Sequence, residues 1–392
     1  MARSRLAVAL FAVLLWAGVS APLAVGAPAA GAVRGVTVVT WSDIHYGNED
    51  YAADAWRQAY REGRALRSDV YVVSGDLTDN KCSREAFTAR LDAFLPAFRA
   101  QLDALNAPVI LALGNNDIAI NYQTDPEALA LTLSAWRKRL GPHVYLDALG
   151  NGVHPRAVRG MTWITVNSQI FSRLNEYDGR EAQARATFAW LSSALRRVPR
   201  AQTAVLVMHI PPTSDFFDGK ASWNEADLRR LSDVIDAHAG KLIILAAHYH
   251  RNEIHALTTR RGKTVPVLLA GSVSCKYDSR PNWRSSVWQL GADGTVRRFD
   301  WINRYPGHPE WSESWVLPSP FSATTYAALV TRLRQDLAFY LRYAENLCAH
   351  NPQWEQWCGG AEKREKLAAL VRCMLFPAQD SDTSSPALGN HR

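Results

Sequence analysis

Short apolar runs rich in β-branched residues alternate with longer stretches of helical spacing along most of the chain. Segments 36–41, 69–73, 109–113, 162–166, 204–208 and 242–246 are too short for helices and apolar at successive positions, which predicts strands buried on both faces. Between them, 51–67, 83–105, 126–140, 181–197 and 225–239 repeat apolar residues three and four apart and predict helices with one buried side. The opening order β-α-β-α-β predicts an α/β domain. Strands dominate next: 253–259 and 264–269 read as a hairpin about Arg261-Gly262, and 285–290 with 295–301 as another about Asp293-Gly294. Residues 306–320, dense in Pro, Trp and Ser, predict a linker, and helical spacing resumes over 323–346 and 361–375. The small and polar residues of 377–392 predict a disordered tail.

The polar residues that follow these strands carry the chemistry. Asp43 and His45 follow the first strand, Asp76 the second, and Asn115, Asn116 and Asp117 the third. His209 follows the run ending at Met208, and His248 with His250 the run ending at Ala247. In open α/β sheets the functional crevice lies at the carboxyl ends of the strands, so side chains far apart in sequence can converge there. Two Asp, four His and one Asn make seven oxygen and nitrogen ligands without a thiolate, a set that suits two divalent ions. Such a pair acidifies water and neutralises phosphoryl oxygens, which is the chemistry of phosphoester hydrolysis. Each fragment is weak alone, since a turn Asp or a satisfied His is common. Five of them in this order at strand ends are not explained by turns.

The fragments Asp43-Ile44-His45, Gly75-Asp76, Gly114-Asn115-Asn116-Asp117, His209 and His248-Tyr249-His250 resemble the five signatures of the calcineurin-like metallophosphoesterase superfamily. That resemblance implies a layered α-β-β-α sandwich with a small helical C-terminal subdomain. It implies that Asp43, His45, Asp76 and His250 bind one metal, and Asp76, Asn115, His209 and His248 the other, with Asp76 as bridge and a hydroxide held between them. Zn is the first expectation, with Fe, Mn or Mg as alternatives. Asn167-Ser168-Gln169, His209-Ile210-Pro211-Pro212 and Ser272-Val273-Ser274 are further similar to the acid sphingomyelinase-like branch, which implies a phosphodiester substrate.

Two positions depart from the family pattern. Asn116 and Asn80 stand where many members carry His, and an amide cannot supply a proton to a leaving group. Asn80, Asn116, Asp76 and Asp117 are the candidate catalytic residues, and Arg251, Arg284 and Asn116 the candidate substrate contacts. The Gly-Asn-Asn-Asp variant also resembles endopolyphosphatases, so a phosphomonoesterase or polyphosphatase is the alternative, and a phosphate-binding protein without turnover the next. The expected partner is a small phosphoester, phospholipid head group or polyphosphate. Peripheral membrane contact and a monomeric state are expected, and a nucleic-acid partner is not. His143, His154, His238, His255, His308 and His350 have no motif context and read as structural or surface residues.

Residues 1–32 read as an export signal: Arg3 and Arg5, then an apolar stretch, then Ala30-Gly31-Ala32 as a cleavage site. The expected divisions are the signal over 1–32, a catalytic domain over 33–305, the linker and helical part over 306–376, and the tail. Export permits disulfides. Of Cys82, Cys275, Cys348, Cys358 and Cys373, an antiparallel helical hairpin places Cys348 and Cys358 at one end, and that pair is the expected bridge. The net charge of +7 falls to +5 when Arg3 and Arg5 leave (7 − 2) and suggests an anionic partner without identifying it.

Overall fold

The computed structural model describes residues 35–47, 52–120, 123–124, 126–174, 177–214, 221–250, 252–274, 285–291, 293–300, 314–315, 321–335, 341, 344–345, 348 and 358–375. Alternation inside each strand sets the layering. In β1 (Val36–Trp41), Val36 and Val38 enter one apolar core while Val39 and Trp41 enter another. β8 (Thr203–Val207) divides the same way, Val205 and Val207 to the first core and Ala204 and Leu206 to a third. β9 (Lys241–Ala246) follows, with Ile243 and Leu245 opposed to Leu242 and Ile244. A strand apolar on every position must be covered on both faces, and two sheets stacked between helices achieve this.

The first sheet has β1 at its centre. β2 (Val70–Val73) pairs with it in parallel, and β3 (Val109–Leu111) continues in parallel beyond β2. On the other side β12 (Ser286–Leu290), β13 (Val296–Asp300) and β14 (Ser314–Trp315) add antiparallel strands. β14 lies inside the segment read from sequence as a linker; its two residues supply an edge strand. A separate two-stranded ribbon joins β4 (Ala119–Ile120) to β5 (Gln123–Thr124). The second sheet runs β7 (Met161–Thr165), β8 and β9 in parallel, with short β6 (Gly152–Val153) at one edge. β11 (Thr264–Leu269) and β10 (Glu253–Thr258), the first predicted hairpin, complete the other.

Helices α1 (Ala52–Ala65), α2 (Arg84–Asp103) and α3 (Pro126–Leu140) cover the first sheet through Trp56, Phe87, Phe98 and Trp136. α4 (Arg180–Arg197) and α5 (Glu225–Ala237) cover the second through Phe188, Leu191, Leu231 and Ile235. The fold is therefore the α-β-β-α sandwich expected. α6 (Ala323–Gln335) and α7 (Ala361–Leu375) form the helical C-terminal region. Leu329 and Leu367 from these helices join the core between the sheets, and Tyr326 donates its hydroxyl to the carbonyl of Ile254 at 3.3 Å. Cys348 and Cys358 form the disulfide expected, with Cα atoms 5.5 Å apart.

Candidate metal centre

Asp43 with His45, Asp76, Asn115, His209 and His248 with His250 occupy the loops just past β1, β2, β3, β8 and β9. Five of these residues take left-handed backbone: Asp43 (φ 53°), His45 (49°), Asp76 (54°), His248 (76°) and His250 (59°). Such angles cost a side-chain-bearing residue on the order of 1–3 kcal/mol and persist only where surroundings enforce them. The enforcement is visible. Backbone N–H groups of Asp43 and His45 donate to the carbonyls of Gly75 and Asp76, each at 3.0 Å, lacing the first two loops together. From a third segment, Ser272 Oγ donates to the Asp43 carbonyl at 3.0 Å and Ser274 Oγ to that of Ile44 at 2.6 Å. Gly75 (φ 96°) and Gly114 allow close approach, since a Cβ on Gly114 would overlap the Asp76 backbone and carboxylate.

The side chains converge on one point. His250 Nε2 lies 3.1 Å and His45 Nε2 3.7 Å from Asp43 Oδ1. Asp76 Oδ2 faces both sides, 3.8 Å from His45 Nε2 and 3.3 Å from His209 Nε2. Asn115 Oδ1 approaches His209 Nε2 at 3.0 Å, and His248 Nδ1 lies 3.3 Å from the same nitrogen. Among the described residues, two groups have ligand atoms all within 4.8 Å of one another: Asp43, His45 and His250, and Asp43, Asp76 and His209. Asp43 belongs to both, so by geometry it lies as centrally as Asp76, to which the family resemblance assigns the bridge.

The residues fit a pair of divalent cations. Asp43 is fully buried, yet among the described residues neither carboxylate oxygen has a hydrogen bond of good geometry, and the charged groups near it are imidazole nitrogens. A buried carboxylate without donors is costly unless a cation neutralises it. Burial by itself would raise the Asp43 carboxyl, but the charges of His250 and His209 hold it well below the usual carboxylate range. Burial likewise opposes the ionised form of Asp76, and the charge of His209 with its hydrogen bond brings that carboxyl down to about 2. His209 resists the desolvation of its own charge and is pushed up to about 9 by Asp76 and Asp43. Burial, then repulsion from His209, lowers His248 to about 3. Without a metal, one imidazole takes up a proton to balance the carboxylates. His209 Nδ1 donates to the Ser74 carbonyl at 2.7 Å, which aims Nε2 into the site and fixes the tautomer a metal requires.

Asn116 and Asp117 are placed as supports. The Asn116 backbone N–H and side-chain Nδ2 donate to Asp76 Oδ1 at 2.7 Å and Oδ2 at 2.5 Å. One N–H of its carboxamide is thus engaged with Asp76. The Asp117 carboxylate accepts the backbone N–H groups of Asp76 (2.8 Å), Leu77 (2.9 Å) and Gly114 (2.8 Å), locking the second loop to the third. Burial and the charge of Asp76 push its carboxyl up to about 7. Asn80 is buried with its side-chain oxygen unpartnered, and no described contact joins it to the ligand cluster. Arg251 and Arg284, the proposed anion contacts, lie outside the described residues.

A second network escaped the sequence reading. Tyr249, between His248 and His250, donates its hydroxyl to the carbonyl of Thr213 at 2.8 Å, and Ser222 Oγ lies 2.8 Å from that hydroxyl. Thr213 Oγ1 is 2.7 Å from His255 Nδ1, whose Nε2 is 2.7 Å from Glu253 Oε2. Glu253 and His255 are buried, so a residue read as structural or surface belongs to a brace between the His209 and His248 loops. Its signal was the alternation Glu253-Ile254-His255, which puts both polar groups on one side of a strand.

Comparison with protein-family profiles matches residues 36–252 to the family described as calcineurin-like phosphoesterase. No curated protein matches the chain. Among solved structures, a dimetal phosphatase from Danio rerio is similar at 14% identity and a TM-score of 0.47, over 67% of this chain and 97% of that one. GAP50, the anchor in the inner membrane complex of Plasmodium, aligns at 12% identity and a TM-score of 0.45, over 76% and 95%. The phosphopantetheinyl hydrolase PptH from Mycobacterium tuberculosis aligns at 14% and 0.37, over 62% and 91%.

Proposed function

Because the chain belongs to the calcineurin-like phosphoesterase family, we propose that it hydrolyses a phosphodiester with two divalent metal ions held by Asp43, His45, Asp76, Asn115, His209, His248 and His250. When bound, the ions would supply Lewis acidity toward phosphoryl oxygens and acidify water. The observation that carries the reading is the pair of buried carboxylates ringed by imidazole nitrogens, with no Lys or Arg ion pair to neutralise them among the described residues.

The chain's own part is mostly positioning. Asp117 and Asn116 fix Asp76, Ser74 fixes His209, and Ser272 with Ser274 fix the loop of Asp43 and His45. The similarity of Asn167-Ser168-Gln169 and Ser272-Val273-Ser274 to the acid sphingomyelinase-like branch supports the diester and a lipid head group. One observation favours a second reading. With Asn116 Nδ2 bound to Asp76, neither it nor Asn80 can protonate a departing oxygen, which suits substrates with good leaving groups such as phosphoanhydrides.

The test is a metal-reconstituted assay comparing bis-aryl phosphate, aryl phosphate, sphingomyelin, nucleotides and polyphosphate. Faster turnover of bis-aryl phosphate and sphingomyelin supports the first reading, and preference for polyphosphate the second. Absence of turnover on all of them, with metals bound, removes both. We further propose export by way of residues 1–32; a mature N-terminus at residue 33, determined by mass spectrometry of the protein from its native host, checks it.

A further inference from the structure

The candidate ligands come from two sheets. Asp43, His45, Asp76 and Asn115 follow strands of the first, and His209, His248 and His250 follow strands of the second. The layer between the sheets is apolar, and apolar packing is non-directional: it sets how closely the sheets lie, not where along their length they align. Alignment falls to directional bonds, and β7 supplies a link of that kind although no candidate ligand follows it. We propose, on the premise of the dinuclear centre, that Thr165 and Ser168 are positioning residues that hold Asn115 and His209 together as ligands of one metal ion.

Met161, Trp163 and Thr165 alternate along β7, and the first two enter the core between the sheets, so Thr165 faces the first sheet as well. Its hydroxyl donates to the Leu111 carbonyl at 3.1 Å. β3 is an edge strand of the first sheet, and the Ala112 N–H continues its ladder to Val73, so the Leu111 carbonyl turns to the free edge and needs a partner from elsewhere. The bond joins the last residue of β7 to the last residue of β3, in the segment that leads to Asn115.

Ser168 reaches the other way. Its Oγ accepts the backbone N–H of Ile210, the residue after His209, at 2.8 Å. The chain between the two hydroxyls is itself fixed. The Val166 N–H donates to the Val207 carbonyl, the Asn167 N–H to Asn151 Oδ1 and Asn167 Nδ2 to the Leu149 carbonyl, each at 2.9 Å. Asn151, Asn167 and Ser168 are fully buried, and a buried polar network whose members are satisfied is rigid. A path of bonds therefore runs from β3 through Thr165 and Ser168 to His209, and it closes where Asn115 Oδ1 meets His209 Nε2 at 3.0 Å. The Ser74 carbonyl orients the His209 ring, whereas Ser168 holds the backbone that carries it.

In the experiment the full-length, metal-loaded protein is equilibrated against buffers of graded free Zn²⁺, and zinc bound per chain is measured beside the thermal midpoint. Thr165→Val keeps the branched shape and deletes the hydroxyl, while Thr165→Ser keeps the hydroxyl and deletes a methyl group. Thr165→Val and Ser168→Ala should each weaken one ion about tenfold, the same ion that Asn115→Ala weakens, and leave the other within about twofold. Thr165→Ser should bind both ions as the parent does, whatever its thermal midpoint. Zinc affinity that tracks the thermal midpoint across the set, equal weakening of both ions, or unchanged affinity in Thr165→Val and Ser168→Ala overturns the positioning role and leaves the metal centre standing. A parent that binds no zinc overturns the metal centre, and the positioning role with it.

Discussion

Asp117 is not among the candidate metal ligands, yet three backbone N–H groups depend on its two oxygens. In Asp117→Asn one oxygen becomes an amide donor facing an N–H, so one of those bonds becomes a clash of donors. Loss of a support of this kind costs about 10–100-fold in metal affinity or activity. Measured metal stoichiometry and turnover should both fall in that range, while the far-ultraviolet spectrum stays that of the parent. His209 gives a pH dependence whose sign follows from its environment. Its metal-free imidazole is raised to about 9 by Asp76 and Asp43 against the cost of its burial, so at pH 7 it carries a proton that a metal must displace. Metal affinity should therefore fall about tenfold per unit as pH drops below about 9 for each proton displaced. Calorimetry at pH 7 in buffers of different ionisation enthalpy should show proton release, diminishing as pH approaches 9.

At the scale of elements, the ligands sit on turns that no strand or helix would form unaided. The His248-Tyr249-His250 turn has left-handed backbone at both histidines, and the Tyr249 hydroxyl ties it to the Thr213 segment beyond His209. Tyr249→Phe keeps the ring and removes that tie, a loss of about 1 kcal/mol in hydrogen bonding. If the tie orients the histidines, metal affinity should drop several-fold with little change in thermal stability. A fall in stability with unchanged metal affinity would make the hydroxyl a packing feature only. The elements themselves were legible because the central strands are apolar on both faces and each covering helix on one. Their observed ends differ from the predicted ones by a few residues, as in β2, which begins at Val70 rather than at residue 69. Propensity does not locate the end of a strand when the last ladder bond depends on a neighbour.

For the whole molecule, the C-terminal helices matter because Leu329 and Leu367 complete the apolar core between the sheets. Leu367→Ala should lower the stability of the entire unit by about 2–5 kcal/mol, as for other buried leucines. A single unfolding transition shifted downward is expected. An unchanged main transition with a separate early melt would show that the helices unfold independently.

The sequence by itself determined the alternation that builds a four-layer sandwich, and it placed ligand-type residues at the ends of five strands. Both follow from local spacing: a period of two or of 3.6 residues is written along the chain, and a polar residue after a buried strand stands out there. The tertiary structure decided the rest. That Asn116 serves Asp76, that Ser272 and Ser274 hold the Asp43 loop, and that Thr165 and Ser168 bond to β3 and to the His209 loop depend on where segments distant in sequence meet. Spacing along a chain carries no record of such meetings; side-chain packing and hydrogen-bond geometry between the folded layers set them.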